Sequence, residues 1–181
     1  MKPIWIISLA ALLAAGCKKD NPNALPEATQ SGRNTAGFLL DGQLWLPEWK
    51  SSFSVNTPVS ASWRRTSVGR SLDFGFTRRN DNEDNSLDLF VPNITRVGTF
   101  QLNQRASITL GDRNPSYGIY IIAKAVPDRL FLTGPDATGT LTITRFDTVA
   151  RVVAGTFELT VQEETSPETH QLTDGRFDLK F

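Results

Sequence analysis

The 181-residue chain is nearly without the side chains that carry most enzyme and metal chemistry, with one cysteine, one histidine and one methionine. That count excludes an internal disulfide and the usual zinc site of three or four nitrogen and sulfur ligands. An excess of charge of either sign is also absent: 19 lysines and arginines balance 19 aspartates and glutamates. With no basic surplus to follow a phosphate backbone, nucleic acid is not an expected partner. Beyond the N-terminal stretch no apolar run approaches the roughly 20 residues needed to cross a bilayer. No longer window repeats apolar residues at i, i+3, i+4 and i+7, so no amphipathic helix is expected. The nearest candidate, "VSASWRRTSVGR", has β-branched content that suits a strand equally well. A phosphate-cradling loop is missing too, since "TGPDATGT" has glycines but no lysine and reads as a turn between strands.

What is present begins at the N-terminus, "MKPIWIISLAALLAAGCKKDNPN". Lys2 supplies a positive start, Ile4 to Leu13 is apolar except for Ser8, and Ala14, Ala15 and Gly16 are small. Residues 1–16 thus have the three-part layout of a secretory signal, too short to span a bilayer of roughly 30 Å. The lone cysteine, Cys17, follows at once. "LLAAGC" resembles the lipobox of bacterial lipoproteins, which implies that the Cys17 thiol is diacylated and becomes the mature N-terminus. The residue types suit that chemistry, because a thiolate is a strong nucleophile and small neighbours let the backbone enter a peptidase groove. Each buried acyl CH₂ contributes about 0.8 kcal/mol, so two or three chains hold a protein on a membrane. Lipid on Cys17 is the only membrane contact expected, and it leaves no cysteine for metal binding or catalysis.

Residues 17–33 are the expected anchor and tether. "KKDNPNALPEATQSGR" is rich in proline, asparagine, serine and charge, and offers few side chains able to bury a face. Lys18, next to the anchor, resembles lipoproteins released to an outer membrane. "CKKDN" resembles in part the charged export tag of surface-exposed lipoproteins in Bacteroidota. The expected address is the cell envelope, at the outer membrane, on its periplasmic face or at the cell surface.

From residue 34 to 181 the pattern is alternation, read as a single β domain. "AGFLLDGQLWLPE" sets Asp41-Gly42 between two apolar runs, a strong hairpin signal. "RSLDFGFTR" alternates Leu72, Phe74 and Phe76 with polar neighbours; "NSLDLFVPN" repeats this with Leu87, Leu89 and Val91 until Pro92. "VGTFQLN", "GTLTITRFD", "RVVAGTFELTVQE" and the final "GRFDLKF" add further strands, and "YGIYIIAKAV" reads as a central strand covered on both faces. The expected fold is all-β with about eight to ten antiparallel strands, forming a β-sandwich or a small lipocalin-like β-barrel.

Three stretches, "NTAGFLLDGQLWLPE", "GTLTITRFDTVARVVAGTFELTV" and "TDGRFDLKF", together resemble a family of uncharacterised Bacteroidota lipoproteins carried as a domain of unknown function. Its members pair an N-terminal N-G…W-x-P hairpin with a C-terminal G-R-F-D ending. Here Ala36 stands for the usual aromatic and Asp41 for the usual asparagine, and residues 50–124 match only in β character. The resemblance implies an all-β fold and a lipid anchor, and no activity.

Candidate sites are few. Trp45, Trp49 and Trp63 lie close in sequence, and clustered indoles stack on sugar rings. Trp45, between Leu44 and Leu46, reads as core, whereas Trp49 beside Lys50 and Trp63 are the possible ligand contacts. "RRNDNEDNS" brings Asp81, Glu83 and Asp84 together, but EF-hand spacing from Asp81 puts Ser86 and Pro92 where glycine and glutamate are required, so it reads as a solvated hairpin tip. His170, in "SPETHQLTDGR", reads as an exposed loop residue. No spacing singles out a carboxylate pair, and no catalytic residue, metal or cofactor is expected. The expected function is a lipid-anchored envelope domain that binds a protein or glycan without catalysis. The alternative is a lipocalin-like carrier of a small apolar ligand, which requires a hollow of a few hundred Å³.

Overall fold

Asp41 and Gly42 both adopt positive φ, 50° and 79°, the conformation a two-residue type I′ hairpin demands and that Gly tolerates without strain. They join β1 (Thr35–Leu40) to β2 (Gln43–Trp45) in a computed structural model that describes residues 23–50 and 57–181. Ten further strands follow: β3 (Glu48–Trp49), β4 (Val59–Thr66), β5 (Gly69–Arg79), β6 (Asp84–Val91), β7 (Gly98–Gln101), β8 (Tyr117–Ile122), β9 (Arg129–Leu132), β10 (Gly139–Asp147), β11 (Val152–Glu163) and β12 (Thr169–Lys180). A short 3-10 turn, Ile108–Arg113, is the one helical element among the described residues. The all-β expectation holds. "VSASWRRT" is a strand rather than a helix, and the strands exceed the expected number because β3 and β9 are too short to display alternation.

The strands form one hydrogen-bonded sheet, ordered β2-β1-β12-β11-β9-β8-β6-β5-β3, with β10 and β7 branching from β11 and β4 pairing with β5. The branch explains the shape. Along one edge of β11, residues 152–159 pair with β10, while Gln162 and Glu163 pair with Leu132 and Phe131 of β9. The sheet turns a corner there and curls into an open half-barrel, and β5 comes to lie over β11 and β12. Every pairing is antiparallel except the two-residue contact of β3 with β5.

Between the two halves lies a filled interior. Alternation sends Leu72, Phe74 and Phe76 of β5 and Leu87, Leu89 and Val91 of β6 inward, each at most 2% exposed. They meet Phe157 and Phe177 from the facing half: Phe74 and Phe177 are 4.7 Å apart by ring centroid, Phe76 and Phe157 6.1 Å. Phe38 stacks on Trp45 at 4.5 Å, so Trp45 is core, as its neighbours suggested. Gly175 sits opposite Phe157, where a Cβ would fall 2.4 Å from the ring, so the ring can lie flat across β12. Each fully buried large apolar side chain contributes about 1.5–3 kcal/mol. The strand β8 is covered on both faces as expected, Tyr120 joining the main core and Ile119 a smaller cluster with Ala106 and Leu132.

Cys17 and the signal segment lie outside the described residues, but the last part of the expected tether does not. Asp178 projects from the outer face of β12 and is only 1% exposed. Its carboxylate accepts hydrogen bonds from the Thr29 hydroxyl at 2.6 Å and from the N–H groups of Ser31, Gly32 and Arg33 at 2.9, 2.6 and 3.3 Å. Residues 29–33 are therefore docked on the sheet, not a free tether. Along "RFDLKF" Asp178 lies on the opposite face from Phe177, and nothing in that alternation signals that a polar segment would cover it.

Burial pushes the Asp178 carboxyl up, but the four donors outweigh it and hold the group below its ordinary value. A depressed carboxyl contributes stability above its unfolded value and loses it as pH falls through the folded one. Asp178→Ala should lower unfolding free energy by on the order of 2–4 kcal/mol at pH 7. The loss should shrink on acidification below pH 4, as followed by urea denaturation. An unchanged midpoint at pH 7 would show that the docked segment contributes nothing.

Candidate functional site

The outer face of β10, β11 and β12 is built from the residues that alternation excludes from the core. Thr140 and Thr142 point out between Leu141 and Ile143; Thr156 and Glu158 point out between Phe157 and Leu159. On β12 the phase is broken. Phe157 pairs with Gly175 but Leu159 with Leu172, so Thr173 and Asp174 together oppose Glu158. This β-bulge puts Asp174 at φ 54° and turns its side chain to solvent instead of the core.

These side chains line a groove of about 520 Å³, with Thr140, Thr142, Thr156, Glu158, Asp174 and Arg176 along it and Ala28 of the docked segment as a wall. It shares Thr140 and Glu158 with a second depression of about 260 Å³ that reaches Gln171 and Thr173. Arg176 is held in place: its Nε donates to the Asp174 carbonyl at 3.3 Å and an Nη to the Pro26 carbonyl at 3.5 Å. The carboxylates of Glu158 and Asp174 and the hydroxyls of Thr140 and Thr156 have no partner among the described residues. Some acids elsewhere are engaged, Glu163 with Arg129 at 2.7 Å and Asp73 with Arg64 at 3.0 Å. The groove thus offers free acceptors, hydroxyls and one oriented guanidinium on rigid strands. No large apolar side chain is exposed along it.

The tryptophans do not form one platform. Trp49 pairs with Arg79 and Trp63 with Leu72 along β5, positions about 23 Å apart at the strand rise. Trp49 is half-buried with the Arg79 guanidinium 4.8 Å over its ring. Trp63 packs edge-on to Phe146 and Phe181 and lies under Arg70 at 4.3 Å. Neither touches the groove. Glu83, in the loop after β5, and Asp84, the first residue of β6, are ion-paired with Arg78 and Arg79 at 2.8 and 2.6 Å. Among the described residues no group of three or more His, Cys, Asp or Glu side chains converges as a metal site.

His170 is not an exposed loop residue. It lies in β12, its side chain 18% exposed, packed on Phe131 at 4.6 Å with Nδ1 2.6 Å from Asp41. The strand begins earlier than "GRFDLKF" because the bulge shifts alternation and hides Leu172 from a period-2 reading. Burial pushes the Asp41 carboxyl up, but the Gln171 amide and His170 hold it below its ordinary value. Asp41 thereby ties the first hairpin turn to the last strand.

Among the described residues Asp88 is the one carboxyl driven strongly upward. It lies on the outer face of β6, and burial together with the nearby Asp73 charge raises it from 3.8 to about 6. No family model matches this chain, and neither the curated proteins nor the solved structures contain a match to it. The likeness to envelope lipoproteins therefore stands on the quoted motifs.

A raised carboxyl costs stability once it must ionise in the fold, so its penalty is absent below pH 3.8 and complete above about pH 6. Asp88→Asn should raise unfolding free energy by on the order of 2 kcal/mol at pH 7 and by nothing near pH 3. Thermal melts across that range check it, and a parallel offset at every pH would contradict it.

Proposed function

We propose that this chain is a lipid-anchored domain of the cell envelope that binds a glycan on the outer face of β10, β11 and β12, without catalysis. The observation that carries the reading is the groove with its free Glu158 and Asp174 carboxylates and threonine hydroxyls. Carboxylates, hydroxyls and a held guanidinium supply both acceptors and donors, which is what vicinal sugar hydroxyls require. A protein interface ordinarily centres on buried aromatic or aliphatic anchors, and this groove exposes none. Mixed charge at Glu158, Asp174 and Arg176 also suits a neutral chain better than a polyanion.

The carrier reading requires a hollow, and the rings of Phe74, Phe76, Phe157 and Phe177 occupy the space between the two halves of the sheet. The purified domain should give a native mass equal to its sequence mass; a retained ligand of a few hundred daltons would favour the carrier.

Affinity electrophoresis through gels containing soluble neutral polysaccharides tests the binding. Retardation by at least one is expected, and Glu158→Ala with Asp174→Ala should weaken it at least tenfold, since a hydrogen bond to a charged group contributes about 1.5–3 kcal/mol. Retardation by none would remove the glycan reading. For the anchor, Cys17→Ser should move the protein from the membrane fraction to the soluble fraction; persistence in membranes would refute lipidation at Cys17.

A further inference from the structure

A net charge of zero conceals a division of charge between the two ends of the half-barrel. Ring contacts define one end: Trp63 of β4 lies 5.6 Å from Phe146 of β10 and 6.0 Å from Phe181, which follows β12. The β4–β5 turn, the β10–β11 turn and the start of β1 therefore share that end. The loop after β6 joins them, since the Ile94 N–H bonds to the Arg70 carbonyl at 3.0 Å. Arg33, Arg65, Arg70, Arg96, Arg151 and Lys180 are all exposed there; Arg151 Nε donates to the Phe181 oxygen, and none of the six pairs with an Asp or Glu side chain among the described residues. The side-chain carboxylates near this end are already occupied, Asp73 and Asp112 by Arg64, each at 3.0 Å. Asp147 bonds Arg145 at 2.9 Å and the amides of Val149 and Ala150, and Asp178 is buried under the docked segment. The opposite end has an acidic excess, with Asp41, Glu48, Asp81, Glu83, Asp84, Asp128, Glu163, Glu164 and Glu168 against Lys50, Arg78, Arg79, Lys124 and Arg129 in its turns and strand ends.

Two details give the basic end a character beyond charge. Arg65 and Arg70 are direct partners in the β4–β5 ladder, which sets like charges opposite each other, an arrangement that destabilises a sheet. The turns and loop there also expose apolar side chains: Val149 is 94% exposed, Val97 48% and Val68 38%. Turn tips ordinarily carry glycine, asparagine or aspartate. Cations ringed around projecting apolar side chains, with Trp63 beneath, are the composition of a surface that rests in a lipid interface.

We propose that this end docks on the surface of an anionic lipid bilayer, the arginines meeting headgroup phosphates and Val68, Val97 and Val149 entering the interface. The contact is electrostatic and does not depend on lipid at Cys17; it would orient a domain already anchored there. The chain permits both contacts at once. Pro26 and Leu25 lie against Gly37 on the flank, and the stretch from Cys17 to Leu25 reaches at most about 27 Å. From Arg176 to the basic end at Lys180 is about 13 Å along β12. In that pose the groove stays open to solvent on the flank.

The test uses the chain from residue 23 onward, which contains every described strand and core residue and no site for lipid. It is sedimented with vesicles of equal parts phosphatidylglycerol and phosphatidylcholine, and with phosphatidylcholine alone. Partition into the anionic vesicles only, weakened by salt, is expected. Arg65→Glu with Arg70→Glu should reduce it more than twentyfold, at roughly fivefold per cation, while Arg105→Glu at the other end leaves it unchanged. Arg65→Glu alone separates docking from folding: it converts the Arg65–Arg70 opposition into an ion pair, so the melting temperature should rise while partition falls at least fivefold. Equal partition into both vesicles, none into either, unchanged partition in the double variant, or tighter binding to a duplex oligonucleotide than to vesicles would overturn the proposal. Failure here leaves the Cys17 anchor standing, and failure of the anchor leaves this contact standing.

Discussion

The rest of the structure depends on the contact of aromatic rings across the curled sheet. Phe74 and Phe76 from one half meet Phe157 and Phe177 from the other at centroid distances between 4.7 and 6.3 Å. Rings of that size set the spacing of the two halves and leave the space between them occupied. Gly175 opposite Phe157 is part of the same constraint, because any side chain there would lift the ring and part the strands. A core filled this way leaves the grooves on the outer face of the sheet.

On the outside, β12 does the organising. Its inward residues complete the core, its bulge turns Asp174 toward solvent, and its Asp178 draws residues 29–33 down onto the face. The groove exists because these occur on one strand: without the bulge Asp174 would point inward, and without Asp178 the wall at Ala28 would be missing. A buried carboxylate with four donors is tolerable where an isolated one is not, since the donors replace the water it gave up. Asp88, with no such donors, shows the opposite case and is driven toward its neutral form.

The charge pattern has a similar logic. Balanced composition argues against a polyanion partner when charges are mixed evenly, and here the balance differs between the two ends. The difference arises from which turns the topology gathers, since Arg65 and Arg70 come from one hairpin, Arg151 from another, Arg33 from the segment before the first strand and Lys180 from the last strand. Proximity in sequence would not group them. The expectation that lipid would be the only membrane contact followed from apolar run length, a quantity that does not register a charged end.

By itself the sequence determined the all-β class, the Asp41-Gly42 turn, the inward sets of β5 and β6, the burial of Trp45 and the doubly covered β8. Each rests on local physics: a period of two along a strand, or a glycine at positive φ. Tertiary structure alone decided the bulge at Asp174, the docking of residues 29–33, the pairing of His170 with Asp41, the separation of Trp49 from Trp63 and the gathering of the arginines. These are contacts between residues as many as 149 positions apart. No period or propensity encodes them, because they depend on how far the sheet curls and on which strand ends meet when it does.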